Sequence, residues 1–262
     1  MLDIKTIGIV GYGNYGKLLE VLIRRFAVSV QVFIHDKKIA PGGGRFVDLE
    51  TIAGCDVVIL AVPMHSFEAV LKDILSQPTF RQTVYQPNNL EGTVLVNVCT
   101  AQEQSTAILR SLLYHNPIIS AHSLWGPEAY ALAGGDVTKL QPIVVTDMRI
   151  GLDDTLLRMF VRECGFEVVE LSPRHHDKMI IDRKMYFTHL VARIMAEMGL
   201  EKDDGPAPQS FVDLRTSANS VLGDEGIFFD LWNSRKGCHD TFEDFMLAVK
   251  TLSEKKQLHA VK

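Results

Sequence analysis

The chain has little cysteine. Its four cysteines, among 262 residues, are widely spaced, form no CxxC pair and do not cluster with histidine; they are Cys55, Cys99, Cys164 and Cys238. This pattern excludes a disulfide-rich scaffold and offers no metal-ligand spacing. We therefore expect buried thiols in a reducing cytoplasm and no metal site.

The chain also lacks a basic tract and a long apolar run. Lysine and arginine number 27 against 32 aspartate and glutamate, for a net charge of −5, so we do not expect a nucleic acid partner. The longest apolar run, residues 57–64, is less than half of the roughly 20 residues that span a membrane. The N-terminus enters a strand within a few residues, so no secretion signal is indicated. With 47% hydrophobic residues we expect a globular cytoplasmic protein with a proper core.

Residues 6–36 carry the most informative pattern. Apolar runs at 7–10 and 28–34 predict two buried strands, and apolar residues at helical spacing between 18 and 26 predict a helix between them. The turn before the helix is Gly11, Tyr12, Gly13, Asn14, Tyr15 and Gly16. In such a unit the first glycine permits the tight turn, the second lets the backbone approach a pyrophosphate, and the third lets the helix pack on the strand. The order therefore predicts a dinucleotide cofactor with its phosphates at the helix N-terminus.

Asp36 ends the second of these strands, 20 residues after Gly16. A carboxylate at this point can accept hydrogen bonds from the adenosine ribose hydroxyls, and it repels the 2′-phosphate of NADP. We therefore predict NAD as the preferred cofactor. The neighbouring cations Lys37, Lys38 and Arg45 leave NADP possible.

Strand and helix patterns keep alternating after Asp36, which predicts a Rossmann-type, doubly wound α/β sheet. The strand that begins at residue 57 should end beside the cofactor at Ala61, Val62 and Pro63, because ligands bind at the carboxyl ends of strands in open α/β sheets. Further strands are predicted at 93–98, ending at Thr100, and at 118–122. The last two, at 141–146 and 166–171, are separated by a helix at 152–161 and predict a mixed far edge.

From Pro173 onward no strand pattern remains. A long helix is predicted over 174–199, with further helices from Phe211, over 227–232 and from Asp240. We therefore divide the chain into a dinucleotide-binding domain, residues 1–172, and an all-helical domain, residues 173–262. Because some 90 residues of apolar-faced helices form a thin core alone, we expect this domain to pack against a second copy in a homodimer.

Histidines provide the candidate chemistry. His122 ends a predicted strand on the cofactor side, and histidine can take a proton near neutral pH, which suits the oxidation of an alcohol. His189 shares a helix face with Asp182, Tyr186 and Arg193, a strip that is either solvated or part of a site. The pair His176–Asp177 is interpreted as a helix start and packing feature.

In this order and spacing the chain resembles the prephenate and arogenate dehydrogenases of tyrosine biosynthesis over nearly its full length. The resemblance is carried by the GxGxxG turn, the pair Val62–Pro63, Thr100, residues 122–128, and the pairs His176–Asp177 and Thr188–His189. The Trp-Gly-Pro-Glu form of residues 125–128 is most similar to the arogenate-type, plant-like branch. Ser123 replaces the family's proline, Ala101–Glu103 stand where a lysine is often found, and the interval from His176 to His189 is about one residue longer than usual.

The resemblance implies an oxidoreductase that transfers hydride from the ring alcohol carbon of a cyclohexadienyl acid to nicotinamide, with loss of CO2. It implies that His122 is the general base and that Thr100 hydrogen-bonds His122 or the substrate. It also implies substrate contacts in a cleft between the domains, from His189, Tyr186, Arg215, Trp125 and Gly126.

Two alternatives stay open. Another two-domain nicotinamide reductase, acting on β-hydroxyacids or imines, would use a helical-domain lysine as its acid, and Lys184 is the candidate. A nucleotide-binding regulator without a working substrate site would bind NADH without turnover.

Overall fold

The computed structural model describes residues 4–42, 44–81, 92–113, 115–149, 161–223, 228, 243 and 245–251, with the backbone alone for 181, 182 and 185–187. The chain divides into two compact units, Met1–His176 and Asp177–Lys262. Within the described ranges, no helix has both the length and the apolar composition needed to cross a membrane. The helices predicted at 152–161, at 227–232 and at the start near Asp240 lie mostly outside the described residues.

The first unit is built on a seven-stranded sheet. The strands are β1 Thr6–Val10, β2 Gln31–His35, β3 Val57–Leu60, β4 Val94–Asn97, β5 Ile118–Ser123, β6 Ile143–Arg149 and β7 Val168–Glu170. Their order is β2-β1-β3-β4-β5-β6-β7. The pairs from β2 through β5 are parallel, β6 runs antiparallel to β5, and β7 runs parallel to β6. The predicted Rossmann-type sheet and its mixed far edge are both confirmed.

Helices cover the sheet because their apolar stripes face it. They are α1 Asn14–Phe26, α2 Leu49–Ala53, α3 Met64–Leu75, α4 Gln102–Leu112 and α5 Pro127–Leu132, with a short 3₁₀ turn at Val137–Lys139. In α3, fully buried Phe67, Leu71 and Ile74 pack in one cluster with Leu60 of β3 and Leu95 of β4. Residues 57–60 are buried on both faces, as expected for a central parallel strand.

Two boundaries differ from the sequence expectation. The apolar run at 28–34 splits: Val28 lies in a turn and is 84% exposed, and β2 begins only at Gln31. The predicted start of this strand was too early, because α1 ends at Phe26 and the chain must turn before it can pair with β1. The strand expected to reach Pro63 ends at Leu60, so Ala61, Val62 and Pro63 form the connection to α3.

Helical structure runs without interruption from Pro173 to Glu197. It comprises α6 Pro173–Ile180, a π-helical stretch Ile181–Leu190 and α7 Val191–Glu197, and it is followed by α8 Gln209–Leu222. Within the second unit, Ala192 and Met195 of α7 pack against Ala218 and Val221 of α8. Residues 245–251 are helical. The π-helical middle was not predicted, and such stretches are frequent at functional sites.

Candidate active site

The three glycines of the first turn meet three different demands. Gly11 has φ +96°, and a Cβ there would collide with the Ala61 carbonyl; a Cβ on Gly16 would collide with the Gly11 carbonyl. A Cβ on Gly13 would meet no atom within 4 Å. Gly11 and Gly16 are therefore required by the fold, whereas at Gly13 only a ligand could need the missing side chain.

The N-terminus of α1 suits an anion. Its cap residue is Gly13, which supplies no side-chain hydrogen bond, and no acidic residue lies in the first turn. The first backbone N–H groups of a helix have no partner within it, and the helix dipole places partial positive charge there. The turn therefore fits a pyrophosphate at the place that the sequence predicts.

Asp36 lies at the edge of the same turn. Its Oδ2 accepts a hydrogen bond from the Tyr12 backbone N–H (2.7 Å), and its Oδ1 accepts one from the Lys38 backbone N–H (2.8 Å). Partial burial raises the pKa of this carboxyl, but the two backbone donors outweigh it and the pKa lies below its usual value. Asp36 is thus a fixed, ionised carboxylate beside the glycine turn.

No role was predicted for Glu20 from the sequence. Its side chain projects from α1, is 5% exposed, and accepts hydrogen bonds from the Tyr12 hydroxyl, from Arg24 (2.9 Å) and from Arg45 (3.0 Å). The Arg45 guanidinium also lies 5.1 Å from the Phe46 ring centre. Of the cations considered for NADP, Arg45 is therefore already paired with a carboxylate.

Thr100 lies in a bend three residues after β4. Buried Asn97 holds this bend: its amide nitrogen donates to Ser105 Oγ (2.8 Å), and its amide oxygen accepts from the Cys99 backbone N–H (2.9 Å). Asn97 also reaches Ser120 Oγ on β5 (3.3 Å). The position of the Thr100 backbone is thus tied to the strand that carries His122.

His122 lies near the end of β5 and is 8% exposed. Its Nδ1 lies 3.0 Å from Nε2 of His176, a residue of α6 with no exposed surface. The rings meet edge to face, with centres 5.1 Å apart and planes at 85°. The sequence assigned His176 to a helix start and packing; His176 is indeed buried near the start of α6, and there it contacts the predicted base, which was not predicted.

Ser123 joins the glycine turn to the histidine strand. Its hydroxyl donates to the Trp125 carbonyl (2.8 Å) and lies 2.9 Å from the Tyr15 hydroxyl, which therefore donates to it. Burial raises the pKa of Tyr15, so the phenol keeps its proton. The residue that departs from the family's proline thus links the turn at Gly11–Gly16 to β5.

Trp125 lies in the core of the first unit. Its ring stacks on Phe166 (centres 5.8 Å apart) and packs with Leu18 and Leu22 of α1. Its Nε1 has no hydrogen-bond partner within the described residues. Gly126, the next residue, caps the short helix α5. Contact of these two residues with a substrate stays a prediction.

In the second unit, His189 is fully buried, and neither of its ring nitrogens has a hydrogen-bond partner among the described residues. Burial, and then the charges of Lys184 and Arg193, lower its pKa to about 4. The ring is therefore neutral at pH 7. Two unsatisfied buried nitrogens are costly, which is a reason to expect a polar group to bind there.

Arg215, on α8, is buried and donates to the Lys202 carbonyl (2.9 Å) and to the Asp203 carboxylate (2.9 Å). It ties the segment after α7 to α8. Tyr186 lies in the π-helical stretch, where the backbone alone is described. Substrate binding by His189, Tyr186 and Arg215 stays a prediction. Among the residues that the structure describes, no group of three or more His, Cys, Asp or Glu side chains could hold a metal ion.

The fold and this arrangement define the class of the protein as a dinucleotide-binding α/β protein with a histidine pair at a strand end. No protein-family model matches the chain. The chain is 26% identical to arogenate dehydrogenase 1, chloroplastic, of Arabidopsis thaliana, over 277 aligned positions that cover 97% of this chain and 40% of that protein. It therefore spans well under half the length of this curated relative.

Two solved structures share the fold of this chain. Prephenate dehydrogenase from Aquifex aeolicus, in complex with hydroxyphenyl propionate and NAD+, superposes with a TM-score of 0.68 at 14% identity, covering 100% of this chain and 93% of that chain. Arogenate dehydrogenase from Synechocystis gives a TM-score of 0.58 at 16% identity, covering 96% and 93%. The resemblance to the prephenate and arogenate dehydrogenases is confirmed, by fold and by sequence similarity along the chain.

Proposed function

We propose that the chain is an NAD-dependent dehydrogenase that oxidatively decarboxylates prephenate or arogenate, giving 4-hydroxyphenylpyruvate or tyrosine. The observation that carries this proposal is the hydrogen bond from Tyr15 to Ser123. It joins the turn that fits a pyrophosphate to the strand end that carries His122, so the two parts needed for alcohol oxidation belong to one site. Similarity to an arogenate dehydrogenase over 97% of the chain supports the choice of substrate.

The reaction needs an acceptor for the hydride and a base for the ring hydroxyl proton. When bound, nicotinamide accepts the hydride from the ring carbon that bears the hydroxyl. His122 takes the hydroxyl proton as this carbon becomes a carbonyl, and the ring carboxylate then leaves as CO2 while the ring becomes aromatic. The resulting phenolate takes a proton back, so that one substrate yields one aromatic product, one CO2 and one reduced cofactor.

Residues of the first unit would hold the cofactor. The turn from Gly11 to Gly16, with Tyr12, Asn14 and Tyr15, would receive the pyrophosphate, and Asp36 would accept hydrogen bonds from the adenosine ribose. The residues that follow the ends of β3 and β4 would line the nicotinamide side; they are Ala61, Val62, Pro63 and Thr100. NAD is preferred because Asp36 is ionised and Arg45 is paired with Glu20.

Substrate contacts are proposed for His189, Tyr186, Arg215, Trp125 and Gly126. The support differs from one to another. His189 offers a neutral buried ring with two unpartnered nitrogens, whereas Arg215 and Trp125 already make contacts within their own units. Replacement of a residue that only binds substrate should mainly raise KM.

The test is an assay of the purified chain with prephenate and arogenate, each with NAD and NADP, followed by the absorbance of the reduced nicotinamide. Turnover of either acid with NAD is expected. Binding of NADH without turnover of either acid would overturn the proposal in favour of a nucleotide-binding regulator. Loss of activity in Lys184→Ala but not in His122→Ala would instead favour the reductase alternative.

We further propose that the enzyme is a homodimer through its helical unit. Several apolar side chains of this unit are exposed, namely Ile194, Met198, Leu200, Leu214, Met246, Leu247 and Val249. Exposed large apolar side chains are also found where subunits of an oligomer pack together. Light scattering at low micromolar concentration should give the mass of two chains, and a stable monomer would contradict the proposal.

The site of action proposed is the cytoplasm. Cys55 and Cys164 are free thiols, as is usual for proteins of reducing compartments. The chloroplast named for the plant relative is the competing location. Cell fractionation with an antibody against the chain would decide between them.

A further inference from the structure

The contact between His122 and His176 uses one specific nitrogen of each ring. His122 engages through Nδ1 and His176 through Nε2, at 3.0 Å. Two neutral imidazoles can share such a bond in two ways, because either ring can be the donor. Which ring donates decides the tautomer of His122.

A general base accepts a proton on a nitrogen that has a lone pair. In neutral His122, Nε2 has a lone pair only when the ring hydrogen is on Nδ1, and Nδ1–H can then donate to His176 Nε2. The opposite tautomer has its hydrogen on Nε2 and would need Nδ1 to accept from His176. Proton abstraction through Nε2 is therefore compatible with one of the two arrangements.

We infer that His176 is a positioning residue: its Nε2 accepts the Nδ1–H hydrogen bond of His122, fixes that tautomer and ring orientation, and makes Nε2 of His122 the base. This inference rests on the proposed function, which supplies the need for a base. When His122 takes the substrate proton, its Nδ1–H···Nε2 bond becomes charge-assisted and stabilises the imidazolium. His176 thus does for His122 what a buried carboxylate does in a serine protease triad, with an imidazole nitrogen as the acceptor.

The burial of His176 restricts the geometry of this contact. The residue has no exposed surface, and it lies on α6, where its backbone N–H donates to the Ser172 carbonyl (2.9 Å). A ring fixed in this way cannot turn freely toward solvent. A buried neighbour therefore contributes to the orientation of His122.

The direct test is the tautomer itself, measured by ¹⁵N NMR of the imidazole nitrogens in histidine-labelled protein, at a pH where His122 is neutral. The signal of His122 is assigned by its loss in His122→Asn. We expect the Nδ1–H form in the parent protein and a shift toward the Nε2–H form in His176→Phe, which cannot accept a hydrogen bond. The Nε2–H form in the parent protein would overturn the inference.

Steady-state kinetics of His176 variants provide a second test. Turnover of His176→Phe should fall about 10- to 100-fold, a part of the roughly 100- to 10,000-fold that proton transfer contributes, while NAD affinity and KM change little. His176→Gln can present an amide oxygen to Nδ1–H and should recover most of the turnover. His175→Phe changes the exposed neighbour on the same helix and is the matched control. Equal turnover in His176→Phe and His175→Phe would overturn the inference.

Failure of the proposed function and failure of the positioning role of His176 give different results. If neither prephenate nor arogenate is oxidised, yet the Nδ1–H tautomer is lost in His176→Phe, the proposed function fails and the positioning contact stands. If the parent oxidises its substrate and both the tautomer and the turnover survive His176→Phe, the positioning role fails alone.

Discussion

The cofactor-turn and base residues of the first unit differ from His189 of the second unit in how their buried polar groups are satisfied. Each unit also holds the opposite case, because Trp125 Nε1 has no partner among the described residues and Arg215 makes two hydrogen bonds. In the first unit, Asp36, Asn97, His122 and Ser123 each have a hydrogen-bond partner within that unit. In the second unit, His189 is fully buried with neither ring nitrogen partnered among the described residues. The second unit also exposes large apolar side chains such as Met198 and Leu247.

This difference separates side chains of the first unit that are held by hydrogen bonds from a side chain of the second unit that has no such partner among the described residues. A satisfied network is rigid, so the proposed cofactor turn and the proposed base are held in place before any ligand binds. An unsatisfied buried imidazole gains most when a ligand supplies the missing partner. We therefore expect changes in the first unit to affect chemistry and cofactor choice, and changes in the second to affect stability, substrate affinity and assembly.

The largest expected effect comes from His122→Asn. Turnover should fall about 100- to 10,000-fold, because the variant lacks the base, while the NAD dissociation constant stays unchanged. Activity of the parent enzyme should decline as the pH is lowered and the base becomes protonated, and this limb should vanish in the variant. His175→Asn is the control. Turnover of His122→Asn within about tenfold of the parent, about 1.4 kcal/mol, would show that His122 is structural.

The second effect is a pH dependence of stability caused by the buried His189 in the second unit. The pKa of His189 is about 4 when folded, against a usual 6.5, so the unfolded chain takes up a proton first as the pH falls. The contribution to stability is full above pH 6.5 and is lost toward pH 4, a change on the order of 3 kcal/mol. Urea unfolding at pH 7, 6, 5 and 4.5 gives the free energy of unfolding of the parent and of His189→Leu. The difference between these two free energies should change with pH. A difference that is the same at every pH would contradict the burial of a neutral ring.

A third effect separates glycines needed for folding from those needed for a ligand. Gly13→Ala should keep its thermal stability, since the new Cβ meets no atom within 4 Å, but should weaken NAD binding about tenfold or more, because the methyl group occupies the space for the pyrophosphate. Gly42→Ala, at another open glycine, is the matched control. Calorimetric titration of both variants with NAD measures the effect. Unchanged NAD binding in Gly13→Ala would mean that the glycine turn has only a structural role.

The smallest effect concerns cofactor choice. Asp36→Ser should raise NADP affinity relative to NAD by about tenfold, which corresponds to about 1.4 kcal/mol, because the repulsive carboxylate is removed. Adding Glu20→Gln should raise the relative NADP affinity further, because the substitution removes the ion pair between Glu20 and Arg45. Fluorescence titration with both cofactors measures each step. A parent protein that already prefers NADP would show that the role assigned to Asp36 is wrong.

The local features of this site could be predicted from the sequence, and the long-range ones could not. The glycine turn, Asp36 and the strand end at His122 are each specified by neighbours within a few residues, through spacing and strand–helix order. The partners Glu20–Arg45, Tyr15–Ser123 and His122–His176 are 25, 108 and 54 residues apart. Their side-chain types are ordinary where they stand in the chain, and only the folded sheet brings them together.

The central claim is that the chain carries out oxidation with decarboxylation using a base in its first unit, and the most direct measurement is the stoichiometry of the products. The purified chain, supplied with NAD and with substrate labelled with ¹³C at the ring carboxylate, should release one ¹³CO2 for each NADH formed, from prephenate or from arogenate. NADH formed without ¹³CO2, or no NADH from either acid by a protein that binds NAD, would contradict the account.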